Sequence, residues 1–216
     1  MQPVIKPHDL YCRQMIEVKR RFKAIDRILG AKKPITQNQE IDNECAFLQV
    51  RKIIELITFS ILITDKLRYQ KLRELDAEKN SKDKGDYTLD WNAPDILNKL
   101  SRISPFFLPR PLGTLSELPD GTKHFNESKA KLTQERLIDI YKIAGRYAHI
   151  QNPYKPNLEK LENTKVNEAK KILIKEVAYL KSVIWEHAKI GLLWDSESNP
   201  TELENSESAW LIWFGS

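Results

Sequence analysis

The sequence predicts an all-α protein, a helical bundle of about five helices with a small C-terminal β-hairpin. Three observations carry that expectation. Glycine is scarce, 7 in 216 residues, whereas strand-and-turn proteins need it for tight turns. Apolar residues recur at steps of three and four along several long segments, the period of one helix face. Prolines and Asn/Asp residues punctuate the chain between those segments, where they cap or stop helices. A chain with 41% hydrophobic and 30% charged residues has ordinary globular composition and can close one core. Residues 1–190 are expected to form the bundle domain, with 191–216 as an aromatic tail or hairpin packed on it.

Helix one is expected from about Leu10 to Leu29. Tyr11, Met15, Val18, Phe22, Ile25 and Leu29 form a narrow apolar stripe, with Asp9 as cap and Gly30 as stop. Helix two is expected from Gln37 to about Asn80, either continuous or with a break, with Thr36 and Gln39 as a capping box. Its middle, Ala46 to Ile63, is apolar nearly all round and should be covered on several sides. Its charged far end, Arg68 to Lys84, should project or fray. A polar loop over 81–92 leads to a short helix capped by Asn92, with Pro94 in its first turn and its end near Ile103.

Pro105, Pro109 and Pro111 make the next stretch an extended connector. Residues 113–130 read as a surface loop with a Pro119-Asp120-Gly121 turn. Helix four should run from Thr133 to about Ile150, with Leu132 and Leu137 as a hydrophobic staple and Asn152-Pro153 as stop. Helix five should run from Val166 to His187 with Ile172, Leu173, Val177, Leu180, Val183 and Ile184 inward. The short apolar runs Ile190–Trp194 and Ala209–Phe214 would pair as the hairpin.

Cys12 and Cys45 form no CxxC pair and no metal-ligand spacing with the four histidines. Two reduced thiols, no apolar leader and no apolar run long enough for a bilayer suggest a cytoplasmic protein without a membrane partner. There is no Gly-rich phosphate loop, HExxH or GxSxG, so neither metal nor cofactor is expected. The net charge of +5 is uneven. Residues 1–33 are rich in Lys and Arg against only Asp9, Glu17 and Asp26, while 195–216 carry acids and no base. Arg20, Arg21 and Arg27 on helix one are therefore candidate phosphate contacts, or else part of a solvated charged face.

Two constellations could carry chemistry. Glu44, Arg51, Glu55, Thr58 and Asp65 fall within roughly 80° of one another around helix two, a polar seam in an apolar surface. Buried charges need partners, and Arg51 can meet Glu55 at i,i+4, so the seam is either a structural ion pair or a site. The end of helix four gathers Asp139, Lys142, Arg146 and His149 on one face, with Gly145 permitting close approach of another backbone. An Arg and a His on adjoining turns suit phosphate chemistry: the cation holds anionic oxygens and the imidazole moves protons. The alternative is a capping His beside a surface Arg. His187 reads as a helix-end residue, and the tail tryptophans as packing.

The segment Leu48-Gln-Val-Arg51-Lys-Ile-Ile-Glu55, set against a later helix that ends at His149, resembles HEPN (higher eukaryotes and prokaryotes nucleotide-binding) domains. The resemblance covers residues 37–67 and 132–190 at pattern level. Two residues separate Arg146 from His149 here, and the position with six intervening holds Lys142 in place of Arg. It implies a helical bundle, often dimeric, of the kind found in bacterial toxins and antiviral defence, where many members are metal-independent ribonucleases. It further implies His149 acting on the 2′-hydroxyl or leaving oxygen, Arg146 with Lys142 on the scissile phosphate, and Glu55 orienting Arg51 or His149. The competing expectation is a non-catalytic, antitoxin-like interaction or regulatory subunit. It would bind a protein partner, or itself as a homodimer, through the helix-one stripe or the Trp210/Trp213 tail.

Overall fold

The computed structural model describes residues 6–79, 85–104, 106–148, 158–192 and 207–213. They form a mostly helical bundle with a small antiparallel sheet. The helices are α1 (Pro7–Gly30), α2 (Gln39–Thr64), α3 (Lys66–Lys79), α4 (Ala93–Leu100), α5 (Gln134–Ala148) and α6 (Leu158–Ile184). The strands are β1 (Arg110–Glu117), β2 (Lys123–Glu127), β3 (Glu186–Leu192) and β4 (Glu207–Trp213), in the order β2-β1-β3-β4.

α2 is the central element and touches α1, α4, α5 and α6. Its Ala46, Phe47, Val50, Ile53, Ile54, Ile57 and Ile61 are buried in one core with the α1 stripe Tyr11, Met15, Val18, Phe22 and Ile25. The helix-one stripe is thus used up inside the chain and presents no free seam to a partner. Pro7 starts α1 at its first positions, while Asp9 sits in the first turn without capping; Gly30 is helical and Ala31 closes the helix. Asn38, and not Thr36, caps α2, accepting from the N–H groups of Glu40 and Ile41. The Thr36 hydroxyl instead donates to Asp42 at 2.7 Å. That bond, helped by the N–H groups of Thr36 and Ile35, holds the Asp42 carboxyl below its ordinary range.

The long helix two of the sequence is broken into two. At Asp65 the chain kinks (φ −118°, ψ 24°), and α3 continues beyond it. α3 is anchored, not frayed. Its Tyr69 hydroxyl donates to Asp90 at 2.6 Å, its Arg73 Nε lies 2.9 Å from the same carboxylate, and Arg102 grips Asp76 with two bonds of 2.9 Å. Asn92 caps α4, and Thr133 accepts from the N–H of Arg136 at the start of α5 with Leu132 and Leu137 both buried.

Residues 113–130 are not a loop but most of a hairpin. β1 and β2 are joined through a turn in which Gly121 takes φ 82° and Leu118 N–H donates to Thr122 C=O. β1 also pairs with β3 through Arg110↔Ala188 and Pro111↔His187. The proline-rich connector therefore joins the C-terminal hairpin, which begins at Glu186, inside the residues expected to end helix five.

Candidate functional site

Arg51 and Glu55 stand one turn apart on α2, on the edge that packs against α5. Arg51 Nε donates to Glu55 Oε1 at 3.3 Å, and its Nη2 donates to the Tyr141 hydroxyl at 2.6 Å. Tyr141 in turn donates to Glu55 Oε1 at 3.3 Å, and Lys52 Nζ reaches Oε2 at 3.1 Å. The guanidinium also sits 4.3 Å from the Tyr141 ring centroid, a cation–π contact. Burial is the main cause that pushes the Tyr141 hydroxyl up, which keeps it a donor at neutral pH.

Gly145 lies one turn beyond Tyr141 on α5. A Cβ there would come within 3.3 Å of Arg51 Nη1, so the glycine makes room for a side chain, not for the backbone expected. Phe47 and Tyr147 stack at 4.5 Å and fasten the same two helices further along. The seam stays open to water: the Arg51 and Glu55 side chains are 21% and 17% exposed.

The rest of the expected seam disperses. Asp65 lies about 15 Å further along α2 at 1.5 Å per residue and turns into another cluster. Thr58, between them, is fully buried and its Oγ1 has no hydrogen-bond partner among the described residues. Glu44 is half-buried. On α5, Lys142, Asp139 and Arg146 are exposed. His149 lies outside the described residues, as do Asn152 and Pro153. Arg20 and Arg21 are on α1, not in the Arg51 cluster. Arg21 binds Glu17 at 2.9 Å and Gln49 at 2.7 Å, Arg20 is 3.7 Å from Glu17, and Arg27 is exposed. Tyr141 was missed in sequence, although its step of four before Gly145 puts it on the face that approaches α2.

The second cluster joins α1, the α2–α3 kink and β3. His187 begins neither a helix end nor a ligand set; it is fully buried on β3. Its Nδ1 lies 2.8 Å from the Ile184 carbonyl and its Nε2 2.7 Å from the Tyr11 hydroxyl. A carbonyl can only accept, so Nδ1 carries the proton and Nε2 accepts from Tyr11. Burial pushes the imidazole down to about 4, so this neutral tautomer holds at pH 7. Beside it Lys189 Nζ lies 3.6 Å from Asp65 Oδ2, with Thr64 Oγ1 donating to the same oxygen at 3.2 Å. Burial depresses Lys189, and Asp65 opposes that shift.

Among the described residues no group of three or more His, Cys, Asp or Glu could hold a metal ion, and no helix is long and apolar enough to cross a membrane. In comparison with known proteins, no family model, curated protein or solved structure matches this chain.

Proposed function

We propose that the chain is a HEPN-like RNA-binding protein that cleaves RNA without metal, of bacterial defence or toxin type, and that the α2–α5 seam is its site. One observation carries the reading. Arg51 is held by Glu55 and Tyr141 against Gly145, so this partly exposed side chain sits on the helix whose sequence continues, four residues on, to His149. A cation that is positioned yet wet can take a phosphate oxygen, whereas a sealed one cannot.

In this reading Arg51 holds a non-bridging oxygen of the scissile phosphate, and exposed Lys142 and Arg146 add positive charge from α5. Glu55 and Tyr141 orient Arg51. The 2′-oxygen forms a bond to phosphorus as the 5′-oxygen leaves. His149 takes the 2′-hydroxyl proton or gives one to the leaving 5′-oxygen, and water exchanges the proton at the other.

The test is RNA degradation with chelator present, comparing wild type with His149→Ala and Arg51→Ala, and with thermal melts on all three. Wild type should cut, and folded His149→Ala should lose about 10²-fold or more, the usual worth of general acid–base help. Intact RNA with wild type ends this reading.

A second reading, a non-catalytic interaction subunit, is favoured by the outer face of α2. Ile41 and Leu48 are each 44% exposed there, although the helix is apolar nearly all round. It predicts a partner or dimer, read by light scattering, that Leu48→Glu dissolves.

A further inference from the structure

α1 turns its apolar stripe into the core and leaves a second, straight row on the outside. Arg13, Ile16, Arg20, Lys23 and Arg27 follow one another at steps of three and four, all exposed. No acid interrupts the row. The chain as a whole has 35 Lys and Arg against 30 Asp and Glu, so this one-sided surplus is a local feature and not general composition.

The flanking carboxylates are engaged elsewhere. Asp9 lies 3.1 Å from His8. Asp26 takes Lys181 of α6 with bonds of 2.6 and 2.7 Å. Glu17 is shared, tightly with Arg21 at 2.9 Å and loosely with Arg20 at 3.7 Å. Among the described residues no carboxylate pairs with Arg13, Lys23 or Arg27. The row from Arg13 to Arg27 spans about 21 Å at 1.5 Å per residue.

We propose that this outer face of α1 is a sequence-independent docking surface for the phosphate backbone of RNA. It rests on the function proposed above for its choice of RNA, and adds a second contact remote from the Arg51 seam. A convex row of cations meets a line of phosphates, and Arg presents a planar fork that grips each one by two bonds. The row carries no exposed aromatic on which a base could stack, so it reads the backbone and not the sequence. An anionic membrane is the poorer fit. Ile16 is the one exposed apolar side chain on the row, and the helix's apolar face is already buried, so nothing is left to insert.

The experiment is fluorescence anisotropy of the full chain with a labelled, unstructured RNA over a series of KCl concentrations. Wild type is compared with Arg13→Gln/Arg20→Gln/Lys23→Gln/Arg27→Gln and with Arg51→Ala. Gln keeps helix propensity while removing charge, and circular dichroism melts verify folding. The slope of log affinity on log salt should fall by about 3 in the quadruple variant, from about 0.7 per phosphate contact on a single strand. Affinity at low salt should fall at least tenfold, equally for scrambled RNA sequences. Arg51→Ala should keep most of the slope.

If the quadruple variant does not fold, the pairs Arg13→Gln/Arg20→Gln and Lys23→Gln/Arg27→Gln should each lose about half of that slope. A folded variant with unchanged affinity and slope overturns the proposal. So does wild type that ignores RNA, or that binds phosphatidylserine vesicles in preference to it. Wild type that binds RNA through α1 but never cuts it leaves this surface standing and removes only the nuclease reading.

Discussion

At the α2–α5 seam, Arg51, Glu55 and Tyr141 share hydrogen bonds while the charged side chains remain 21% and 17% exposed. Further along the same helix, Asp65 and Lys189 are 5% and 1% exposed, beside the fully buried Tyr11–His187 pair. Both clusters join an acid, a base and a tyrosine across elements far apart in sequence. Water separates their roles. A sealed pair cannot meet a ligand, and its buried charges face each other across two elements, so it ties β3 to the bundle. A wet pair contributes little to stability and stays within reach of solvent.

The sharpest way to break this comparison is to remove one charge from each cluster. Asp65→Asn takes the carboxylate away from the buried Lys189 ammonium, and should cost about 3–5 kcal/mol in urea denaturation at pH 7. Asp65→Leu with Lys189→Met should recover most of that loss, because an apolar pair of similar bulk needs no partner. Glu55→Gln at the seam should cost no more than about 1 kcal/mol. Equal losses at the two sites would end the distinction between tie and site.

The buried cluster also sets a pH window. His187 titrates at about 4 when folded against 6.5 when free. The unfolded chain therefore binds the proton first as pH falls. The stability is complete above about pH 6.5 and declines towards pH 4, by about 3 kcal/mol at 1.36 kcal/mol per pKa unit. Asp42 and Asp76 shift in the same direction from a lower starting point, held down by the Thr36 hydroxyl and by Arg102. What they contribute is present above their ordinary 3.8 and fades only below it. His187→Gln should flatten the curve of unfolding free energy between pH 6.5 and 4 and leave the steeper acid limb. An unaltered curve would mean that His187 is protonated in the folded protein.

Helical periodicity made the bundle legible, because α1, α2, α5 and α6 each carry a 3.6-residue apolar pattern that packing then uses. The β1–β2 hairpin was not legible. Its strand Arg110–Glu117 contains Pro111 and Gly113 and alternates poorly, and its second partner, β3, is more than seventy residues away. The position of the break at Asp65 was not legible either, since its partner Lys189 lies on a strand more than a hundred residues away. Within the candidate site, the Arg51–Glu55 pair followed from i,i+4 spacing on one helix. Tyr141 did not, because which turn of α5 faces α2 is decided by tertiary packing. Asp65 was grouped with Arg51 by angle alone. Angle around a helix says nothing of which neighbour is met about 21 Å further along its axis.

The smallest expected effect tests how the wet cluster is seated. Gly30 and Gly145 both lie in helices, and neither has a positive φ. A Cβ at Gly30 would meet nothing within 4 Å, while one at Gly145 would stand 3.3 Å from Arg51 Nη1. Helix propensity alone favours Ala over Gly by about 1 kcal/mol in a helix interior, less at an end. Gly30→Ala should therefore be neutral or slightly stabilising. Gly145→Ala should forfeit its larger gain, because the guanidinium must give by a few tenths of an ångström and its bond to the Tyr141 hydroxyl lengthens. Melting temperature should barely move in either variant. The Arg51 side-chain NMR signal should shift in Gly145→Ala alone, together with a loss of RNA cleavage. If Gly145→Ala is instead clearly more stable and leaves that signal unmoved, then Arg51 is positioned by Glu55 and Tyr141 without help from the glycine.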